Sequence, residues 1–123
     1  KYVSDVMHKG ERLPLVASGE PMASALVTMT EKSLGCLGVV DTAGKLLGVI
    51  TDGDLRRHMG AGLLQATVDQ IMTVKPKTIS PTMLASAALE VINASRITAL
   101  FVVDKSKPVG IIHVHDLLRL GVA

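Results

Sequence analysis

The residues best suited to chemistry lie where an apolar segment gives way to a polar turn. Thr51, Asp52, Gly53 and Asp54 directly follow Gly48-Val49-Ile50. A threonine hydroxyl can donate or accept a hydrogen bond, and a carboxylate can accept two hydroxyl groups of a sugar. The free N–H groups where a helix starts favour a phosphate or another anion. The segment therefore predicts a site for a small anionic ligand.

The same spacing is also typical of a helix cap. Thr51 and Asp54 are three residues apart, so each side chain can bond the other's backbone N–H in a capping box. In a second occurrence of the pattern, His113 replaces Thr51 and Asp116 replaces Asp54. Because histidine is a poor N-cap, we interpret the recurrence of the aspartate as a sign of ligand binding rather than of capping.

Histidine and arginine side chains extend this candidate site. His113, His115 and Asp116 are residue types that bind zinc, but the two histidines would point to opposite sides of an extended segment, so no metal is expected. Contact of His113 or His115 with a sugar or phosphate is one interpretation, and local packing of a neutral ring is the other. Arg56 could bind a phosphate through two hydrogen bonds or simply lie on a solvated helix face.

These residues recur because the chain repeats itself. A repeat of this length is a supersecondary unit that cannot bury its apolar face alone and stacks on its copy. We expect one repeat at residues 1–62 and the other at 63–123, with a ligand cleft between them. Three segments return in the same order: Val3–Met7 as Val68–Met72, Cys36–Asp41 as Ala99–Asp104, and Gly48–Leu55 as Gly110–Leu117.

Each repeat is expected to form a strand, a helix, two strands and a helix, after a short helical turn. Met22, Leu26 and Met29 have helical spacing, and Ser80-Pro81 has the types of an N-cap and a first helical residue. Continuous apolar strands indicate a sheet shielded by helices, which predicts a mixed α/β (α+β) fold. The expected helices are 21–33, 52–59, 81–95 and 114–120, and the expected strands of the closing hairpins are 36–41, 46–51, 99–104 and 109–113.

Composition narrows the classes of function. The chain has 123 residues, a net charge of +2 and 48% hydrophobic residues. The basic residues are scattered and aromatic residues are few, so nucleic-acid binding is not expected. No apolar run approaches the ~20 residues of a membrane helix, and no signal peptide is evident, so a cytoplasmic location is expected. Cys36 is the single cysteine, and its apolar neighbours predict a buried structural thiol.

At these segments the chain resembles a pair of CBS domains, also called a Bateman module, over nearly its whole length. The resemblance implies two β-α-β-β-α repeats related by a pseudo-two-fold axis. His113 departs from the threonine of the family pattern. The resemblance rests on Val6-Met7, on Ile71-Met72, on the two Val-Val-Asp strands and on the glycine-led strand that ends in Thr51-x-x-Asp54.

Two further segments, Thr51–Arg57 and His113–Ala123, resemble the C-terminal CBS pair of bacterial arabinose-5-phosphate isomerases. Those enzymes carry an N-terminal sugar-isomerase (SIS) domain and convert ribulose 5-phosphate to arabinose 5-phosphate for the synthesis of the sugar Kdo. The resemblance implies that this chain, which starts without Met, is the regulatory part of such an enzyme and is not catalytic by itself. It also implies a homodimer formed through the CBS pairs and a tetrameric parent.

The resemblance further implies a regulatory ligand in the cleft, either an adenine nucleotide or CMP-Kdo as an end-product signal. Thr78 and Ile79 would line the base or sugar with backbone groups. Two alternatives remain: a ligand-free module for dimerisation, and the CBS pair of a different parent, such as a transporter. The candidate ligand-binding residues are Thr51, Asp52, Asp54, Arg56, Thr78, Ile79, His113, His115 and Asp116.

Overall fold

The computed structural model describes residues 1–121, which form two compact units. The central unit is Pro14–Pro76, and the terminal unit combines Lys1–Leu13 with the chain from Lys77 onward. These units differ from the repeats at 1–62 and 63–123, because the short opening helix of each repeat packs in the unit built by the other repeat. Val122 and Ala123, which end the segment that resembles the isomerases, lie outside the described residues.

The observed elements follow the expected order in both repeats, except that the second repeat has one further strand, Thr73–Val74, after its opening helix. The helix expected at 81–95 starts later, at Ala85, because the Ser80 hydroxyl accepts the Thr82 N–H in a turn (3.2 Å) and caps no helix. No helix within residues 1–121 has the length and apolar character that crossing a membrane requires. In chain order the elements are α1 (Val3–Val6), β1 (Leu15–Ala17), α2 (Met22–Lys32), β2 (Cys36–Val40), β3 (Leu46–Thr51), α3 (Asp52–Arg57), α4 (Val68–Ile71), β4 (Thr73–Val74), β5 (Thr78–Ile79), α5 (Ala85–Ser95), β6 (Ala99–Asp104), β7 (Lys107–His113) and α6 (Val114–Arg119), with a 3₁₀ turn at Gly10–Arg12.

The central unit is a four-stranded sheet with helices packed on it. The strand order is β1-β2-β3-β4, with β1 and β2 parallel and the other pairs antiparallel. Hydrogen bonds from Val68 N–H to Glu20 O (2.9 Å) and from Met22 N–H to Ala66 O (2.9 Å) tie the segment around α4 to the start of α2. Met22 and Val68 are fully buried in the core beneath the sheet, which holds β3 and its closing turn in place.

The terminal unit repeats this plan with the two ends of the chain. Its sheet has the order β5-β6-β7, with β5 parallel and β7 antiparallel to β6. The segment after α1 pairs with β7 through His8 and Ile111, whose backbone groups exchange hydrogen bonds of 2.9 and 3.0 Å. Val3 and Leu117 are fully buried in the core of this unit. The mixed α/β fold predicted from the sequence is thereby confirmed.

Cys36 lies at the start of β2, where its side chain is buried. Burial, and to a lesser extent the nearby Asp52 carboxylate, raises the pKa of the Cys36 thiol to about 12. Because the thiolate is the reactive form, we expect native protein at pH 8 to react with the thiol reagent DTNB at least about tenfold more slowly than free cysteine. The same assay in denaturant should release one thiol per chain, and rapid labelling of the folded protein would contradict the buried position.

Candidate functional site

Asp54 is the centre of the turn between β3 and α3. Asp54 is 2% exposed. Its Oδ2 accepts hydrogen bonds from the Thr51 backbone N–H (2.9 Å) and from Thr51 Oγ1 (3.2 Å). Thr51 is the N-cap of α3 and Asp54 the third helical residue, so the pair forms the capping box that the spacing allowed. The turn is therefore fixed by its own residues.

Two further donors complete the surroundings of Asp54. Thr73 Oγ1, from β4, donates to Oδ1 at 2.6 Å, and the Arg57 guanidinium also bonds Oδ1. Burial raises the pKa of Asp54, but the hydrogen bonds from Thr73 and Thr51 and the charge of Arg57 outweigh it, so the pKa lies below the ordinary value. The Asp54 carboxylate therefore favours its ionised form, and both of its oxygens accept hydrogen bonds from the protein itself.

Asp116 holds the corresponding position between β7 and α6 in the terminal unit. Its Oδ2 accepts the His113 backbone N–H (3.0 Å) and bonds His8 Nε2 (3.0 Å), and its Oδ1 accepts from Arg119 (2.6 Å). The His113 ring accepts the His115 backbone N–H at Nδ1 (3.1 Å). The turn that begins at Thr51 and the turn that begins at His113 therefore have the same capping-box pattern of hydrogen bonds.

The inference that capping could not explain the second aspartate is wrong. A neutral imidazole offers Nδ1 as an acceptor, and His113 uses it as an N-cap. The other half of the box, from the N-cap N–H to the Asp116 carboxylate, needs no particular N-cap side chain. The recurrence of aspartate is therefore explained by capping in both units.

Sequence reasoning missed two partners of these carboxylates. Thr73 bonds Asp54, and His8 bonds Asp116. Each lies directly after a repeated methionine, Met72 or Met7, and this shared position was the available signal. The two contacts tie β4 to α3 and the N-terminal segment to α6.

The other candidate residues differ in how available they are to a ligand. Asp52 and Arg56 are exposed on α3, and His115 is exposed on α6, where its ring centroid lies 4.6 Å from that of His113. Thr78 is exposed in β5, whereas the Ile79 side chain is buried in the core, which leaves its backbone as the group that could line a site. The structure therefore gathers most candidates around two turns.

An open depression of about 230 Å³ adjoins the turn of the terminal unit. Among residues 1–121, no group of three or more His, Cys, Asp or Glu side chains is arranged to hold a metal ion. The depression is lined by Asp5, Val6, Asp116, Arg119 and Leu120.

Comparison with known proteins gives a consistent result for both halves of the chain. The family model described as "CBS domain" matches residues 3–61 and 68–123. Arabinose 5-phosphate isomerase KdsD of Pseudomonas aeruginosa is 50% identical over 98% of this chain, and the match covers 38% of that protein. KdsD of Escherichia coli is 37% identical over 98% of this chain and 37% of its own length. The chain thus spans less than two-fifths of the curated relatives it matches.

Solved structures give the same fold. The CBS domain pair of protein MJ0100, in complex with 5′-methylthioadenosine and S-adenosyl-L-methionine, is 26% identical with a TM-score of 0.84, over 98% of this chain and 95% of that one. CBSX2 in complex with AMP has 24% identity and a TM-score of 0.84 over 98% and 95% of the two chains, and at that identity it supports the fold alone.

Proposed function

Because the chain belongs to the CBS domain family, we propose that it is the regulatory module of a sugar-phosphate isomerase and that it binds a nucleotide or nucleotide sugar. The observation that carries the proposal is the match to the MJ0100 pair, which is 26% identical over nearly the whole chain and holds two adenosine derivatives. A shared fold at this identity supports a ligand of the same chemical class, one that contains a nucleoside.

The isomerase assignment rests on the 50% identity to KdsD of Pseudomonas aeruginosa. Since the match covers 38% of that relative, we place the isomerisation of ribulose 5-phosphate to arabinose 5-phosphate in the remainder of a longer parent. The buried carboxylates of this chain support that placement. Both oxygens of Asp54 and both oxygens of Asp116 already bond donors of the protein itself, so these side chains are engaged in building the turns.

The saturation of Asp54 also changes the role expected of it in ligand binding. A ribose diol could bond this carboxylate only by displacing a present donor, such as Thr73 or Arg57. Thr51, by contrast, is partly exposed, and Asp52 and Arg56 are exposed. We propose that Arg56 contacts the phosphate, since a guanidinium can bind it through two hydrogen bonds, while Asp54 shapes the turn.

Calorimetry tests the proposal with four ligands: AMP, ATP, CMP and CMP-Kdo. We expect at least one to bind with a dissociation constant below about 1 mM, equivalent to about 4 kcal/mol of binding free energy. Binding of an adenine nucleotide would match the adenosine group of the MJ0100 ligands, and binding of CMP-Kdo would indicate feedback by a sugar product. If none binds while circular dichroism shows the chain to be folded, the proposal is wrong.

Arg56→Ala tests the phosphate contact directly. Because Arg56 is exposed, this variant should keep the stability of the native chain, and it should weaken binding at least about tenfold because it removes both charge-assisted hydrogen bonds. Lys45→Ala is the matched control: it also removes one exposed cation, but just before β3, at the end of that strand remote from Thr51. Equal affinities of the two variants would place the phosphate elsewhere.

A further inference from the structure

The two closing turns differ in one physical property, the ability to titrate. Thr51 and Thr73 surround Asp54, whereas His113 and His8 hold the matching places around Asp116. Threonine hydroxyls keep their hydrogen-bonding capacity at every pH, whereas an imidazole changes its own near neutrality. The terminal turn therefore has an imidazole, that of His113, at the N-cap position where the central turn has the Thr51 hydroxyl.

We propose that His113 is a protonation-sensitive cap, so that acid releases the first turn of α6 while α3 keeps its capping box. The reason is geometric. His113 Nδ1 accepts the His115 backbone N–H at 3.1 Å, so this nitrogen uses its lone pair in the cap. A proton on Nδ1 converts the acceptor into a donor, and two N–H groups then face each other.

The charged groups around His113 act mostly against its protonation. Burial is the main cause that lowers the pKa of His113, and His115, His8 and Arg119 lower it further, while the Asp116 carboxylate alone raises it. A histidine with a lowered pKa stabilises the folded state fully above its unfolded value, about 6.5. That contribution is lost as the pH falls from 6.5 through the lower pKa of the folded protein.

His8 makes a different hydrogen bond from that of His113. An ionised Asp116 carboxylate can only accept, so His8 Nε2 carries the proton in their 3.0 Å contact. The acid response of the cap is therefore assigned to His113 and not to His8.

Nuclear magnetic resonance of the 123-residue chain tests the proposal without any ligand. Between pH 8 and 5, the His115 amide proton should shift upfield with the same midpoint as the His113 ring, as expected when its hydrogen bond is lost. The chemical shift of the Gly53 amide proton, at the same helical position of α3, should not change over this pH range. A His115 amide that does not move while the His113 ring titrates would overturn the proposal, and this holds whether or not nucleotides bind.

Two variants give an independent readout. His113→Thr copies the cap of the central unit and should remove most of the decrease in the urea midpoint between pH 7.5 and 5.5. His8→Thr copies Thr73 and should retain that decrease. If His113→Thr loses as much stability in acid as the native chain, the proposal is wrong. Should either variant fail to fold, the amide titration of the native chain still decides.

Discussion

Replacing Asp54 by Ala is expected to lower the free energy of unfolding by about 2–3 kcal/mol, although the sequence marks this residue as a ligand contact. The substitution removes a carboxylate that is 2% exposed and that accepts hydrogen bonds from the Thr51 backbone, Thr73 and Arg57. The lost cap accounts for about 1 kcal/mol, and the lost hydrogen bonds from Thr73 and Arg57 for about 1–2 kcal/mol more. Urea denaturation at pH 7 measures the change.

Two controls separate this effect from loss of charge. Asp52→Asn removes an exposed carboxylate from the same turn and should change stability by less than about 0.5 kcal/mol. Thr73→Val replaces the donating hydroxyl by a methyl group of nearly the same size. This variant should lower the free energy of unfolding by about 1 kcal/mol. An Asp54→Ala variant as stable as the native chain would show that the carboxylate is free in solution. Loss of ligand by this variant would then report binding rather than unfolding.

The stabilising effect of Asp54 also has a defined dependence on pH. Its folded pKa is lowered, with burial opposing and the bonds from Thr73 and Thr51 and the charge of Arg57 favouring ionisation. The contribution is therefore complete above the ordinary aspartate pKa of about 4 and disappears as the pH falls through the lower folded value. The acid arm of the stability profile should be shallower in Asp54→Ala than in the native chain.

Much of the fold could be predicted because its signals are local or repeated. The hairpin strands and the helix at 22–32 follow from apolar periodicity and from turn residues. The unit to which each of the two opening helices belongs could not be predicted from the sequence. Each has four residues, and its place depends on distant backbone bonds such as His8 to Ile111. Sequence order assigns α1 to the first repeat, whereas hydrogen bonding assigns it to the unit of the second.

The candidate site shows the same limit at the level of single side chains. The pairing of Thr51 with Asp54 is local and was visible in the spacing. Thr73 lies 19 residues from Asp54, and His8 lies 108 residues from Asp116, so neither contact is encoded in a short motif. Whether a carboxylate is free or saturated decides whether it binds ligand or builds the turn, and that depends on these distant donors.

Gly48→Ala is expected to destabilise the central unit by about 2–3 kcal/mol. A Cβ at this position would lie 2.7 Å from the Thr73 backbone oxygen and 2.7 Å from Met72 Sδ. The thioether can move, but the backbone oxygen belongs to β4, which pairs with β3 at this place. The added methyl group would therefore push β4 away from β3 and take the Thr73 hydroxyl with it, away from Asp54.

Two other glycines calibrate the Gly48→Ala result. At Gly110 the added Cβ would meet the flexible Met7 side chain, with the His8 backbone oxygen at 3.1 Å, so Gly110→Ala should cost only about 1 kcal/mol. At Gly53 the nearest atom is 3.5 Å away and the residue is helical, so Gly53→Ala should be neutral or stabilising by up to about 1 kcal/mol. Urea midpoints should therefore rank Gly53→Ala above Gly110→Ala and Gly48→Ala lowest. A Gly48→Ala midpoint equal to that of Gly53→Ala would mean that β4 does not approach β3 closely, and the Thr73 contact with Asp54 would then lose its structural basis.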